Sequence, residues 1–306
     1  MKLLFFGHGS DPVCNYLRQA WSTSPGAIYF LDLDWIDRCC KLDRDSSRTE
    51  RSWSIQATNW QLKLGDISAV FLRFLGVDRA IRSGIRLATE KPGLEAAANF
   101  WMDLLEGLEC PIVNRLSVSN SNHSKLFQLL QMKVNGFLVP DTLVTNDIGL
   151  AKAFFARHSG RVVFKSASGA RARAQLLDEH NYERLHLLSD CPTQFQQFIP
   201  GSDVRVHVIG NQCFGLQIES AELDYRYAPR DLVLIKTCPL PKTIQDQCRR
   251  ITHAFGLYLS GIDFRVTSKQ EWYGLEVNPA PAFTDYQRQT GQPLAATLLN
   301  FLAEFG

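Results

Sequence analysis

The sequence predicts an α/β (α+β) protein built from more than one domain. Three observations indicate this fold class. Short apolar runs alternate with helical or polar stretches in the first hundred residues, helix-then-strand units follow in the middle of the chain, and antiparallel strand patterns prevail after Pro192. A chain of 306 residues, 45% of them hydrophobic, can also bury a substantial core.

The N-terminal third of the sequence predicts a small α/β domain that covers residues 1–116. A helix with apolar residues at helical spacing is expected at 94–108, and a polar linker at 117–124 follows the domain. Four buried strands are expected at 3–6, 27–31, 70–75 and 111–113.

The rest of the sequence predicts a central subdomain at 117–191 and a C-terminal subdomain at 192–306. A helix is expected at 125–134, with Leu126, Leu129 and Leu130 on one face and Asn135-Gly136 at its end. The other expected elements are a short strand at 137–139, a helix capped by Thr145-Asn146-Asp147 that runs to about Arg157, a strand at 161–165, and helices near 243–255 and 294–305.

Charge and cysteine content exclude several classes of protein. Thirty-three Lys and Arg against thirty-one Asp and Glu give a net charge of +2. This balance is not typical of nucleic-acid or membrane-surface binders, so neither partner is expected.

The eight cysteines show no Cys-x-x-Cys pair or zinc spacing, which predicts reduced thiols. Because the first apolar run ends at Gly7 and no later run reaches bilayer length, the sequence predicts a soluble cytoplasmic protein.

Two strands near the C-terminus bring acidic side chains together. Residues 262–267 and 272–277 are expected to pair across a polar loop, with Thr267 opposite Trp272. In that register Asp263 lies opposite Glu276, with about 4.5–5.5 Å between their Cβ atoms, and Asn278 adds a third oxygen on the same face. The opposite face is expected to collect the apolar residues Ile262, Phe264, Val266, Tyr273, Leu275 and Val277.

The chemistry of this acidic face predicts a magnesium site. Two bare carboxylates about 5 Å apart repel by roughly 3 kcal/mol at an effective dielectric of about 20, so a cation is expected between them. Magnesium prefers oxygen ligands and usually keeps substrate phosphates in its shell, as in sites that handle ATP. A solvated hairpin edge, with Arg265 neutralising the acids, is the alternative on this pattern alone.

A second hairpin joins residues 203–209 to residues 213–219 and carries a polar face. A three-residue loop from Gly210 to Gln212 pairs polar with polar side chains, whereas a two-residue turn pairs polar with apolar ones. The three-residue loop is therefore expected. The polar face suits ribose and phosphate, and it equally suits the solvated face of an antiparallel sheet. Its members are Asp203, Arg205, His207, Gln217 and Glu219.

Two lysines lie where proteins commonly bind phosphates. Lys125 is near a helix start, where backbone N–H groups and the helix dipole favour anions, and Lys165 ends a strand before the loop 166–174. That loop contains Arg171 and Arg173, and it is expected either to close over a nucleotide or to be a plain surface loop. Each lysine alone is also compatible with an ordinary exposed position.

Taken in order, these segments resemble the ATP-grasp superfamily, specifically the branch of ribosomal-protein glutamate-adding ligases and microviridin-type (graspetide) peptide ligases. The resemblance extends from Val113 to the C-terminus, and the N-terminal domain is similar to the pre-ATP-grasp domain in its strand pattern. The matching stretches are VNRLSVSNSNHSKLFQLLQMKVNGFLVPDTLVTND, VVFKSASG, QFQQFIPGSDVRVHVIGNQCFGLQIES, DYR, and GIDFRVTSKQEWYGLEVNPAPAF with TGQPLA.

The resemblance implies an ATP-grasp fold, with ATP and Mg²⁺ (or Mn²⁺) as cofactors. It implies a ligase that joins a carboxylate to an amine or a hydroxyl through an acyl-phosphate, with release of ADP and phosphate. A peptide or an amino acid is the implied substrate, and a homo-oligomer is compatible with it. By position, the phosphates are assigned to Lys125 and Lys165, adenine to the hinge Gln197, Phe198 and Ile199, ribose to Asp203, the metal to Asp263, Glu276 and Asn278, and the transferred phosphate and acyl group to Arg205 and Arg226.

Two segments depart from the family pattern. The loop SASGARARAQ has fewer glycines than many relatives carry after the second lysine, which weakens the expectation that this loop closes. The stretch SAELDYRYAPRD lacks the Arg-x-Asn character of the glutamate-adding branch, so it is nearer to the peptide-ligase branch.

Other functions remain compatible with the sequence alone. A small-molecule kinase on an ATP-grasp-like core would keep the phosphate on its product, and a non-catalytic module would only bind a nucleotide or a peptide. A nicotinamide-dependent oxidoreductase is disfavoured, because Pro12 follows Gly7-His8-Gly9 where the dinucleotide fingerprint requires its third glycine. His207 is expected to be a structural or solvated histidine rather than a general base. A basic stripe is formed by Arg79, Arg82 and Arg86. It is expected to be a solvated helix face, and the alternative is a surface that binds an acidic substrate or a leader peptide.

Overall fold

The computed structural model describes residues 1–21, 26–33, 36, 41–43, 53–74, 94–119, 124–166, 174–222, 225 and 228–305. Six arginines singled out in the sequence lie outside these described residues. They are Arg79, Arg82 and Arg86 of the basic stripe, Arg171 and Arg173 of the loop after Lys165, and the predicted site residue Arg226.

In chain order the helices and strands are β1 Lys2–Gly7, α1 Pro12–Trp21, β2 Ala27–Asp32, β3 Lys41–Asp43, β4 Ser54–Gln56, β5 Gln61–Lys63, β6 Ala69–Arg73, α2 Leu94–Glu106, β7 Ile112–Val113, α3 Leu116–Ser119, α4 Lys125–Val134, β8 Thr142–Thr145, α5 Ile148–Arg157, β9 Val162–Ser166, β10 Gln175–Leu176, α6 Glu179–Glu183, β11 Thr193–Gln197, β12 Ser202–Ile209, β13 Gln212–Glu219, β14 Leu234–Thr237, α7 Lys242–Ala254, β15 Leu259–Val266, β16 Trp272–Asn278, α8 Thr284–Thr290 and α9 Leu294–Ala303.

Contacts divide the chain into two compact units. The first comprises residues 1–119, 257–259 and 280–306, and the second comprises residues 120–256 and 260–279. The three-part division at residues 116 and 191 stays a prediction. Among the described helices, none is long and apolar enough to cross a membrane.

The first unit is built on a parallel four-stranded sheet in the order β2-β1-β6-β7. All four strands were predicted and are confirmed. Strand β1 is buried on both faces, as expected inside a parallel sheet, because Leu3, Leu4, Phe5 and Phe6 are all fully buried. The same unit contains the small antiparallel sheet β3-β4-β5 and the C-terminal helices α8 and α9, of which only α9 was predicted.

The second unit contains two antiparallel sheets. One has the order β10-β9-β11-β8, and the other has the order β14-β13-β12-β15-β16. Helix α5 begins where expected, since the Asp147 carboxylate accepts a hydrogen bond from the backbone N–H of Leu150 at 2.8 Å. The short strand predicted at 137–139 is wrong, because that segment makes only an isolated bridge, between Leu138 and Tyr273.

Helix α4 is present as predicted, but its buried face is not the predicted one. Leu126 and Leu130 are 42% and 55% exposed, whereas Leu129 is buried. The buried face consists of Lys125, Gln128, Leu129 and Met132. Two polar side chains, Lys125 and Gln128, therefore point inward where the sequence pattern had placed two leucines, and the Gln128 amide bonds to the backbone of Val277 in the distant strand β16.

The hairpin β12–β13 has a two-residue turn, so the predicted three-residue loop is wrong. Asp203 lies opposite Ile218 and Ile209 lies opposite Gln212. Gly210 has φ +54° at the first central position, which suits a type II′ turn. The prediction assumed one solvated face, but β12 is buried on both faces, and His207 is fully buried. Polar side chains of β12 consequently share a face of the hairpin with apolar side chains of β13.

The hairpin β15–β16 confirms the predicted pairing of Asp263 with Glu276. A β-bulge after Asp263 then shifts the register by one residue, so Trp272 lies opposite Val266 and the predicted pairing with Thr267 is wrong. The shift places Tyr273 opposite Arg265 and away from the apolar face, contrary to prediction. Gly274 and Trp272 take the places on the apolar face that were predicted for Leu275 and Tyr273.

Candidate active site

One cavity in the second unit gathers most of the predicted site residues. We call it the candidate cavity, and it is lined by Val163, Lys165, Ala174, Gln196, Gln197, Phe198, Ile199, Asp203, Tyr225, Asp263, Arg265, Leu275 and Glu276. The strands β9, β11, β12, β15 and β16 contribute most of these side chains. Three predicted site residues that the structure describes are not in its lining: Lys125, Arg205 and Asn278.

Strands β9 and β11 place their polar side chains on the cavity side by simple alternation. Phe164 and Phe195 pack into the core of this sheet. The residues before and after them therefore face the other way, and Lys165 pairs in register with Gln194. Lys165 is half-buried, so its ammonium group is the positive charge on this wall of the cavity.

The predicted hinge begins at Gln197, the last residue of β11. The backbone N–H of Gln197 donates to the Asp141 carbonyl oxygen at 2.9 Å, and that of Phe198 donates to the Arg161 carbonyl oxygen at 3.0 Å. These two N–H groups are therefore committed to protein acceptors. Adenine would therefore have to form its hydrogen bonds with other backbone groups of the hinge.

Two ion pairs connect the neighbouring strands β12 and β15 at the cavity. Arg265 Nη1 lies 2.7 Å from Asp203 Oδ1, and Arg205 Nη1 lies 3.3 Å from Asp263 Oδ1. Arg205 also donates to the Tyr225 hydroxyl at 3.1 Å. The predicted metal ligand Asp263 thus pairs with Arg205. Arg265, the neutralising residue in the alternative interpretation, pairs with Asp203.

The oxygens of Asp263 and Glu276 are the strongest candidate for a cation site. Their strands pair at these two residues, and Asn278 lies on the same face two residues further along β16. No three His, Cys, Asp or Glu side chains cluster as a metal site anywhere in the described part of the chain. Two carboxylates and one amide fit magnesium when phosphate oxygens and water complete its shell.

Lys125 is buried, with 8% of its surface exposed, which argues against an ordinary surface lysine. It lies on the face of α4 that carries Gln128, whose amide bonds to the backbone of Val277 in β16. Val277 lies between Glu276 and Asn278, so this helix face is turned toward the strand with the predicted metal ligands.

Sequence reasoning missed several residues at or beside this site, among them the lining residues Val163, Ala174 and Gln196 and three whose absence from the prediction has a clear cause. Leu275 lines the cavity because of the β-bulge, which no periodicity signals. Tyr225 lies within the DYR stretch and could have been singled out with Arg226. Gln128 was missed because a glutamine on a helix is usually solvated.

A larger cavity also borders the hinge. It is lined by Arg157, His158, Ser159, Arg161, Gln197, Phe198, Ile199, Pro200, Gly201, Thr267, Ser268, Lys269, Glu271 and Tyr273. It contains none of the predicted metal ligands and neither predicted phosphate-binding lysine. The candidate cavity is therefore the better candidate for the active site, because its lysine suits the phosphates of a nucleotide and its carboxylates suit a cation.

Comparisons with known proteins identify the family and the fold of the chain. A family model described as a RimK-like ATP-grasp domain matches residues 121–302. The macrocyclase MdnC from Microcystis aeruginosa MRC, bound with its precursor peptide MdnA, has a TM-score of 0.82 at 22% identity, covering 99% of this chain and 100% of that one. The search of curated proteins returned no match.

Two further solved structures have the same fold. The RiPP-associated ATP-grasp ligase from Chryseobacterium gregarium, in complex with ADP and a leader and core peptide, gives a TM-score of 0.84 at 22% identity, covering 100% of this chain and 97% of that one. The ATP-grasp ligase PsnB, complexed with minimal precursor, Mg and ADP, gives 0.77 at 24% identity, covering 98% and 97%. These likenesses confirm the predicted fold.

Proposed function

Because the chain belongs to the family of RimK-like ATP-grasp domains, we propose that it is an ATP- and Mg²⁺-dependent ligase that joins a carboxylate to an amine or a hydroxyl. The observation that carries this proposal is the candidate cavity. A lysine and a hinge segment form one wall, and two opposed carboxylates form another. A nucleotide with its bound cation fits this combination, because it has a flat heteroaromatic ring for the hinge, phosphates for the lysine and a metal ion for the carboxylates.

The nucleotide is held by residues already described. Adenine binds at Gln197, Phe198 and Ile199, and the ribose hydroxyls bind at Asp203. Lys165 and Lys125 neutralise the phosphates, and the metal ligands are Asp263, Glu276 and Asn278, for Mg²⁺ or for Mn²⁺. Bound there, the cation would offset the repulsion between the carboxylates and polarise the phosphates.

The reaction follows from these charges. A substrate carboxylate oxygen attacks the γ-phosphorus of ATP, the bond to the β-phosphate oxygen breaks, and an acyl-phosphate and ADP form. An amine or hydroxyl then attacks the acyl carbon, loses its proton, and releases inorganic phosphate. The protein contributes mainly position and positive charge, as phosphoryl transfer requires. Arg205 and Arg226 stabilise the transferred phosphate and the acyl group.

The acid substrate is a peptide or an amino acid. Support comes from the three solved structures, each of which contains a precursor, leader or core peptide. The near-neutral charge of +2 supports the absence of a nucleic-acid partner. The cytoplasmic location and a homo-oligomeric state stay predictions.

Mass spectrometry of reactions with ATP, Mg²⁺ and candidate peptides, including those encoded beside the gene, tests the proposal. We expect ADP and phosphate in equal amounts. A peptide that loses the mass of water has formed an internal amide or ester, and one that gains a residue mass has received an amino acid. Lys165→Ala should lower ADP formation at least a hundredfold, roughly the effect of removing a charge-stabilising group, whereas Lys269→Ala, an exposed loop position, should not.

Two outcomes would contradict the proposal. A phosphorylated product without a new amide or ester bond would identify a kinase. Nucleotide binding without any ADP formation, across peptides and amino acids, would identify a binding module.

A further inference from the structure

Among the strands that the structure describes, β16 is the edge strand of its sheet, so one side of its backbone faces no described strand. Val277 lies between Glu276 and Asn278, and its side chain is fully buried. An edge position this well buried needs a hydrogen-bond partner from elsewhere in the chain, because an unpaired buried backbone group is costly.

Gln128 of helix α4 supplies that partner. Its Nε2 donates to the Val277 carbonyl oxygen at 2.7 Å, and its Oε1 accepts from the Val277 N–H at 3.2 Å. Only 1% of Gln128 is exposed. One primary amide thus imitates the donor and acceptor of a neighbouring strand.

We propose that Gln128 is a positioning residue for the metal ligands of the nucleotide site, an inference that rests on the proposed function. The residue clamps the backbone between Glu276 and Asn278. Because alternate side chains of a strand are fixed by the backbone between them, this clamp keeps both side chains on the face of Asp263. Groups that orient metal ligands commonly change metal affinity about 10–100-fold when they are removed.

The clamp is separable from the general packing of α4. The backbone N–H of Gly274 donates to the Leu138 carbonyl oxygen at 2.8 Å, which holds the start of β16 independently. Met132 and Phe137 pack against Gly274 and leave no room there for a Cβ atom. Loss of the Gln128 amide should therefore loosen residues 276–278 while the helix stays in place.

The test measures the affinity of the purified chain for ADP by titration calorimetry, once with Mg²⁺ and once with EDTA. Gln128→Met keeps the length of the side chain and removes both hydrogen bonds. We expect the gain in ADP affinity due to Mg²⁺ to fall about tenfold, with the affinity in EDTA unchanged. Mn²⁺ binding followed by electron paramagnetic resonance should weaken in parallel.

Met132→Ala is the matched control, since it removes packing from the same helix face and leaves the amide intact. It should lower the melting temperature without changing the Mg²⁺-dependent gain. Should Gln128→Met fail to fold, Gln128→Asn, whose amide is one methylene too short to reach both groups, replaces it with the same expectation.

The outcomes separate the two proposals. If the unmodified chain gains no ADP affinity from Mg²⁺, the metal site of the proposed function is wrong. If the unmodified chain shows the gain and the folded Gln128 variant retains all of it, the positioning role of Gln128 is overturned and the proposed function stands.

Discussion

Arg265 joins the predicted ribose-binding carboxylate to the hinge. Its Nη1 lies 2.7 Å from Asp203 Oδ1, and its Nε donates to the Ile199 carbonyl oxygen at 3.2 Å. Both side chains of the ion pair are 17% exposed. A single guanidinium on the strand of Asp263 therefore holds two neighbouring parts of the nucleotide site, both of which are far from it in the sequence.

Arg265→Lys should weaken ADP binding about tenfold, because an ammonium group lacks the planar fork that satisfies both acceptors at once. Calorimetry in EDTA measures this effect without a contribution from the metal. Arg249→Lys is the control, since Arg249 pairs with Asp246 within α7, and neither residue lines the cavity. Equal ADP affinity in both variants and the unmodified chain would remove the proposed role of Arg265.

Glu276→Ala should abolish Mg²⁺-dependent ADP formation and leave the melting temperature unchanged or higher. The stability expectation follows from charge: deleting one of two opposed carboxylates relieves a repulsion of up to roughly 3 kcal/mol, which Arg205 already reduces. Thermal unfolding and ADP release measure the two effects. Glu271→Ala, in the exposed loop of the same hairpin, should change neither. Full Mg²⁺-dependent turnover in Glu276→Ala would refute the metal assignment.

Asn114→Ala should destabilise the first unit by about 2–4 kcal/mol, since buried backbone groups would lose their partners. The Asn114 amide donates to the Leu259 carbonyl oxygen at 2.7 Å and accepts from the N–H groups of Tyr258 and Leu259 at 2.9 and 3.2 Å. Denaturant unfolding measures the loss. Asn300→Ala, exposed on α9 of the same unit, should leave stability unchanged or slightly raised. A loss below 1 kcal/mol for Asn114→Ala would contradict this account.

The cysteines should differ sharply in reactivity toward alkylating reagents at pH 8. Burial, reinforced by Asp11, raises the pKa of the Cys14 thiol to about 12, and burial raises the pKa of Cys248 well above its usual range. Because the thiolate is the reactive form, both should react only after unfolding, whereas Cys191, the exposed one of the six described cysteines, should react in the folded chain. Peptide mass mapping with and without denaturant checks this order. Equal labelling of Cys14 and Cys191 in the folded chain would contradict it.

The opposition of Asp263 and Glu276 could be predicted because Ile262 and Val277 alternate with them on a buried face, and this alternation specifies register. The same reasoning failed three residues away. A bulge inserts Leu275 without any signal in the apolar pattern, so the pairing of Trp272 moved from Thr267 to Val266.

Hairpin β12–β13 shows a different limit. Matching polar with polar residues predicts the register of a hairpin only when one of its faces is exposed to solvent. Strand β12 lies inside its sheet and is buried on both faces. Turn chemistry was then the better guide, since Gly210 followed by Asn211 favours a two-residue turn.

The sequence by itself determined the α/β class, most helices and strands, and the order of segments that resembles the ATP-grasp superfamily. These depend on local periodicity, caps and motifs, which neighbouring residues specify. Only the tertiary structure decided which arginine neutralises Asp263, which face of α4 is buried, and that Gln128 holds Val277. Each of those contacts joins residues far apart in the chain, and their partners are chosen by packing and by the satisfaction of buried polar groups.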